Sequence, residues 1–316
     1  MDGRQGSGGI GQRIGEDELS STNDQTDGST TTKKKNRPPK PQTALRGFLS
    51  KSLNQTTRER IFFNRLAFDL KIAAARVGYH MHLYEPDVDR DGFDIIVEDG
   101  ETTRYLQLKA VLASADKNYW PISVDLFRPR PEVAKFYCKA PVEGGRGGGV
   151  ILIEIDDENE DGNVTYSFTD FDFIAAIAQG YLVENKLLKN GKERLEPGYM
   201  EQAQRALNWV WSAKRSETVD LLRRQFLRLA DANGLLEVIG LRSKGYFDVK
   251  FVRDGYGAYQ IESGGTVGAP FELDERAAST FYHLRRLTAL QQSADPVSKA
   301  FSRFHIPDVK LPPDIH

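Results

Sequence analysis

Cysteine is almost missing from this chain. Cys138 stands alone among 316 residues, which excludes an intramolecular disulfide and any metal site built from several thiolates. Long apolar runs are missing too. No window approaches the ~18 consecutive apolar residues of a membrane span, so no membrane partner is expected. The opening MDGRQGSGGIGQRIGEDELSS is polar and Gly-rich and does not read as a secretory signal. A cytoplasmic location is the expectation that these absences leave. Nor does one sign of charge dominate: 43 basic residues face 45 acidic ones, for a formal net charge of −2. Such a chain does not coat nucleic acid by bulk attraction, although a local basic groove remains compatible with it.

What is present reads as an ordinary globular composition, 28% charged and 39% hydrophobic, with one large domain or two smaller ones plus tails. Residues 1–43 carry almost no large apolar side chains and are expected to stay disordered, because they cannot bury enough surface to offset the entropy of ordering. The segment ends in the basic, Pro-rich KKKNRPPKPQ, Lys33 to Gln42. This is either a phosphate-binding arm or, more simply, a soluble tail.

From Thr56 to Val77 the period becomes helical, with Phe62, Leu66, Leu70, Ala73 and Val77 on one face and Gly78 as the stop. Strands are expected over Tyr79–Glu85, in a hairpin that follows, over WPISVDL (Trp120–Leu126) and over VILIEI (Val150–Ile155). The last run is apolar but for Glu154 and predicts a strand covered on both faces. VTYSF then leads into a helix, TDFDFIAAIAQG, which Thr169 or Asp170 can cap. Residues 44–190 therefore read as an α/β domain with a mixed central sheet between helices.

A second, smaller α+β domain is expected over 197–295. It begins with helices over Tyr199–Ala213 and Glu217–Ala232. LLEVIGL and GYFDVKFVRDGYGAYQIES then supply a three-strand meander, and a last helix runs from Glu272 to about Gln291. Residues 296–316 read as an extended, Pro-containing tail.

The hairpin DRDGFDIIVEDGETTRYLQLKA, Asp89 to Ala110, carries the chemistry. Side chains alternate along a strand, so Gln107 and Lys109 share a face while Leu106, Leu108 and Ala110 point into apolar packing. Pairing across the turn brings Asp94 toward Gln107 and Lys109. A carboxylate and an amide oxygen are hard ligands that suit Mg²⁺ or Mn²⁺, with water completing the octahedron. A lysine beside them can orient or deprotonate a water, or offset charge on phosphorus. The set suits phosphodiester cleavage. Each residue also has a plainer role: Asp94 as an exposed ion-pair partner of Lys109, Gln107 as an acceptor for a backbone group.

A strand-opening GFD followed about a dozen residues later by QxK, after a helix and a strand, resembles the PD-(D/E)XK nuclease superfamily. Within it, the chain is similar to restriction-endonuclease-like bacterial domains of unassigned function. The resemblance covers roughly residues 56–182. It implies a restriction-endonuclease-like core and an endonuclease hydrolysing DNA with Mg²⁺ or Mn²⁺. Asp94 would be the metal-binding aspartate, Gln107 would stand where Asp or Glu is often found, and Lys109 would be the motif lysine. YWPISV and GGVILIEID would supply the next core strands. A glutamate on the first helix is common in the family; the aligned position holds Asn64, and Glu59 can substitute or can merely stabilise the helix N-terminus. With Gln107 the site carries one negative charge fewer. The alternative readings are an inactive nucleic-acid-binding module and a structural or regulatory interaction protein. A homodimer is the assembly left open.

Other candidates carry less. Asp87, Asp89 and Asp91 alternate but lack the glutamate of a calcium loop, so an acidic turn is expected. GGRGGG, Gly144 to Gly149, reads as a flexible linker. His80 and His82 alternate on a strand with no third ligand nearby, and partial burial is expected for them. Arg223, Arg224 and Arg228 read as a solvated face of a helix.

Overall fold

The computed structural model describes residues 43–78, 80–86, 92–99, 103–134, 143–180, 182–187, 193–195, 197–239, 249–253, 259–263, 266–267, 293 and 302–304. In chain order the helices are α1 (Ala44–Leu49), α2 (Gln55–Arg76), α3 (Val124–Phe127), α4 (Pro131–Ala134), α5 (Phe171–Ala178), α6 (Pro197–Ser212) and α7 (Ala232–Ile239). The strands are β1 (His82–Tyr84), β2 (Ile95–Glu98), β3 (Thr103–Leu112), β4 (Tyr119–Ser123), β5 (Gly149–Ile155), β6 (Val164–Asp170), β7 (Leu182–Leu187), β8 (Glu193–Leu195), β9 (Thr218–Leu222), β10 (Leu227–Arg228), β11 (Val249–Arg253), β12 (Tyr259–Ser263), β13 (Thr266–Val267) and β14 (Ser302–Phe304). The tail reading for residues 1–42, Cys138, the aspartates at 87, 89 and 91, and the helix expected over 272–291 fall outside the described residues.

Six strands form the central sheet in the order β1-β2-β3-β5-β6-β10. The β3–β5 pair is parallel and the others are antiparallel, so the sheet is mixed. Residues 113–148 make the long crossover that a parallel pair requires. Strand β5 is buried along nearly its whole length, as VILIEI predicts. Helices cover both faces, which makes this an α/β fold with a mixed central sheet flanked by helices.

Helix α2 lies on one face. Phe62, Leu66, Leu70 and Ala73 are buried at spacings of four, four and three, as the sequence period requires. Val77 instead lies beyond the helix and is exposed, with Gly78 in the left-handed region at φ +81°. Across the interface the Tyr166 hydroxyl donates to Asp69 Oδ2 at 2.6 Å, and Arg65 Nε donates to the same oxygen at 2.8 Å. Burial first, and the Asp69 carboxylate second, raise the Tyr166 phenol well above its ordinary range. Folding therefore keeps this phenol protonated, whereas in the unfolded chain it ionises near pH ~10. Its contribution is full below that pH and is lost as pH rises above it. Between about pH 8 and about pH 11 the urea midpoint of the wild type is expected to fall further than that of Tyr166→Phe. Equal losses would contradict this role for Tyr166.

On the opposite face, Phe127 of α3, Phe171 of α5 and Trp211 of α6 form a chain of ring contacts at 6.2 and 5.0 Å. Asp170 caps α5, accepting from Phe173 N at 2.8 Å.

Several sequence expectations are corrected here. The stretch 217–232 is not helical. It holds β9, a short 3-10 turn (Arg223–Gln225) and β10, because Val219 and Leu221 are buried by alternation. LLEVI is the end of α7, not a strand; the three-strand meander is β11-β12-β13. YWPIS pairs with β9 in a separate two-stranded sheet and adds no strand to the central one. Strand β10 instead joins that sheet beside β6, and α7 packs on α2 and β6. Residues of α6, β9, β10 and α7 share one core with the rest, so the boundary expected between 190 and 197 does not divide it. Within the expected C-terminal tail, Ser302–Phe304 pairs with β7.

The EGGRGGG segment is no loose linker. Gly145, Arg146, Gly147 and Gly148 donate their backbone N–H groups to the carbonyls of Pro129, Asp125, Arg128 and Leu126 at 2.8–2.9 Å. The Arg146 guanidinium sits over Phe93 at 5.0 Å and Tyr105 at 5.3 Å and pairs with Asp125 at 3.2 Å. A Cβ at Gly148 would collide with Leu126 and the Tyr105 carbonyl oxygen. Gly148→Ala is therefore expected to cost about 1–3 kcal/mol by overpacking, read as a lowered urea midpoint. An unchanged midpoint would show that the segment gives way freely.

Candidate functional site

The two strands of the hairpin differ in length, and that difference makes the site. Strand β2 pairs with β3 only over Thr103–Leu106, whereas β3 continues to Leu112 beside β5. Beyond Leu106 one edge of β3 is therefore open among the described residues. Asp94 stands where β2 begins. Its backbone N–H donates to Leu106 O at 2.9 Å, and its side-chain Oδ2 accepts from Leu108 N at 2.5 Å. The carboxylate thus stands in for the backbone acceptor that β2 would have supplied one step further on.

A cavity of about 580 Å³ occupies the open edge. Asp94, Leu108, Lys109 and Ala110 line it from the hairpin, and Ile153 and Trp120 from behind. The first turns of α2 close it with Arg58, Glu59 and Arg60, and Glu85 and Lys117 complete the charged wall. Of the residues expected in apolar packing, Leu108 packs against the core and is half-buried at the cavity, whereas Ala110 is exposed, because no strand covers this edge.

Asp94 and Lys109, placed in one site by the sequence, do line one cavity. Gln107 does not line it. Its Oε1 accepts from Ser123 N at 3.4 Å, at the end of β4, which is the backbone-satisfying role the sequence offered for it. Of the two α2 candidates, Glu59 reaches the cavity, with Oε1 accepting from Gln55 Nε2 at 3.0 Å. Asn64 is exposed and takes no part in the lining.

Four cations share the cavity with three carboxylates. Arg60 takes Glu85 in a two-oxygen pair at 2.7 and 2.6 Å, which neutralises that acid. Arg58 donates to Leu49 O at 2.8 Å, and Lys117 Nζ sits 5.9 Å from the centre of the Trp120 ring. The basic side chains come from α2 and the β3–β4 connection, and no local pattern at Arg58, Arg60 or Lys117 announces them. The arrangement offers two hard carboxylates, Asp94 and Glu59, inside a ring of cationic side chains.

The remaining candidates are otherwise engaged. His80 and His82 are exposed rather than partly buried, and His82 stacks near Tyr84 at 6.1 Å. Among the described residues no group of three or more His, Cys, Asp or Glu side chains is placed to hold a metal. Arg223, Arg224 and Arg228 do not share a helix: Arg223 pairs with Glu154, Arg224 bonds Gln202 and covers Tyr199, and Arg228 reaches Thr165 Oγ1 at 3.3 Å. No helix of the described residues is long and apolar enough to cross a membrane.

Comparison with protein-family models, with curated proteins and with solved structures finds no match to this chain.

Proposed function

We propose that the protein is a metal-dependent nuclease-fold enzyme that hydrolyses phosphodiester bonds in DNA, with its site at the open edge of β3. The observation that carries this reading is the meeting of Asp94, Lys109 and Glu59 in one cavity rimmed by Arg58, Arg60 and Lys117. The chain order of helix, strand, unequal hairpin and apolar strand accords with a restriction-endonuclease-like core.

The donors fit Mg²⁺ or Mn²⁺ in kind. Magnesium is usually bound by one or two carboxylates, with waters and substrate phosphate filling the other positions. Asp94 is the anchor, and Glu59 supplies a second carboxylate. Gln107 lies outside this cavity, with its oxygen turned to Ser123 N, so the carboxylates carry the ion and water fills the position expected for an amide. The ion, when bound, would polarise the scissile phosphate and acidify a water. Lys109 would hold that water in line and stabilise charge on the phosphoryl oxygens. Arg58, Arg60 and Lys117 would grip the flanking phosphates, an attraction that weakens steeply with salt.

Supercoiled plasmid, single-stranded DNA and RNA, each incubated with the protein in Mg²⁺ or Mn²⁺ and with excess chelator, test the reading. Cleavage of DNA that stops with chelator is expected. Salt-sensitive DNA binding without product would favour an inactive binding module, and neither binding nor cleavage would favour an interaction protein.

A further inference from the structure

A second cavity, of about 500 Å³, lies at the other end of α2. Arg65, Phe68, Asp69, Ile72 and Arg76 line it from the helix, and Tyr166 and Arg228 from the sheet. Asp231 and Asn233, at the start of α7, close it.

Three guanidinium groups meet two carboxylates here, and both carboxylates are committed to the protein. Asp69 Oδ2 accepts from Tyr166 and from Arg65. Asp231 caps α7, accepting from Gly234 N at 2.9 Å and from Asn233 Nδ2 at 2.8 Å. The raised Tyr166 phenol stays protonated and keeps its donation to Asp69. Arg65 gives Asp69 its Nε–H, one of five N–H donors on the group. Arg76 makes no ion pair among the described residues. Arg65 and Arg76 therefore hold donors that the cavity's own acids do not consume.

Its other wall is apolar and uncovered. Phe68 is 62% exposed and Ile72 is 39% exposed on the outward side of α2. A flat ring without a cover, next to a guanidinium cluster, is complementary to a ligand that joins a flat heterocycle to a phosphate group. The volume is that of a small-molecule site.

We infer that this second cavity binds a nucleoside phosphate, with Arg65, Arg76 and Arg228 on the phosphates and the Phe68 ring against the base. The inference does not rest on the nuclease reading, since none of these residues lines the cavity of Asp94 and Lys109.

Calorimetric titration of the full chain with ATP, adenosine and inorganic phosphate tests it, beside the Arg76→Ala/Arg228→Ala double variant, Phe68→Ala and Lys109→Ala. Saturable ATP binding is expected. The double variant should weaken it about tenfold or more, as loss of charge-assisted hydrogen bonds implies. Phe68→Ala should weaken it about fivefold or more through lost stacking, and Lys109→Ala should leave it unchanged. Both arginines and Phe68 are exposed, and coincident melting curves would confirm that the variants fold. No saturable ATP binding would overturn the inference. So would inorganic phosphate binding as tightly as ATP, or a loss of ATP binding in Lys109→Ala in place of the double variant.

Discussion

Arg128→Ala is expected to lower the folding stability by about 3–4 kcal/mol. Arg128 is 3% exposed, and its guanidinium is placed at the C-terminus of α6. Nε donates to Val210 O at 2.8 Å, and Nη2 donates to Trp211 O at 3.4 Å and to Ala213 O. The last carbonyls of a helix have no partner within it, and the macrodipole there favours a cation. Arg128 thus caps α6 from within the core and ties α3, part of the β3–β5 crossover, to α6. Truncation leaves three carbonyl acceptors without their donor at once and a void in the shape of the side chain. Arg128→Met fills the void but restores no donor, so it should recover only a minor part of the loss. Total stabilities of about 5–15 kcal/mol make such a change visible as a large drop in urea midpoint. A loss below about 1 kcal/mol would mean that water satisfies these carbonyls as well as the guanidinium does.

The second large effect concerns Asp94, whose two duties separate by substitution. Its Oδ2 closes the ladder at Leu108 N, and its charge is the anchor proposed for the metal. Asp94→Asn keeps an acceptor oxygen for Leu108 N but removes the charge. Asp94→Ala removes both. Both variants are expected to lose cleavage by about 10²–10⁴-fold, the range typical for an essential catalytic group. Only Asp94→Ala should also lose about 1–3 kcal/mol of stability, because it alone leaves the Leu108 N–H without its partner. Denaturation curves run beside the cleavage assay separate the two duties. Equal stability losses in Asn and Ala would show that charge, not the ladder contact, is what the fold uses.

The sequence made some of this legible and hid the rest for physical reasons. Helix α2 follows from the spacing of Phe62, Leu66, Leu70 and Ala73, and β5 follows from a run that is apolar but for Glu154. Asp94 and Lys109 were visible because a charged pair in a hairpin bound for a core demands a reason. The segment 217–232 misled because its leucines fit a helical period as well as an alternating one. Its partners, β4 and β6, lie far away in the chain, and long-range pairing decided between the two. The glycines of 144–149 suggested looseness, yet Gly148 is there because no side chain fits beside Leu126 and Tyr105. The face arithmetic for β3 held at Leu106 and Leu108 but failed at Ala110, because it assumed that both strands of the hairpin end together. They do not, and the open edge that results is what gathers Glu59, Arg58, Arg60 and Lys117 around Asp94 and Lys109.

One comparison tests the central claim most directly: Mg²⁺-dependent cleavage of DNA by the wild type and by Lys109→Ala at matched thermal stability. The account expects cleavage by the wild type and its loss, with the fold intact, in Lys109→Ala. Cleavage that survives in the variant would place the chemistry elsewhere and leave the cavity at the edge of β3 without a catalytic role.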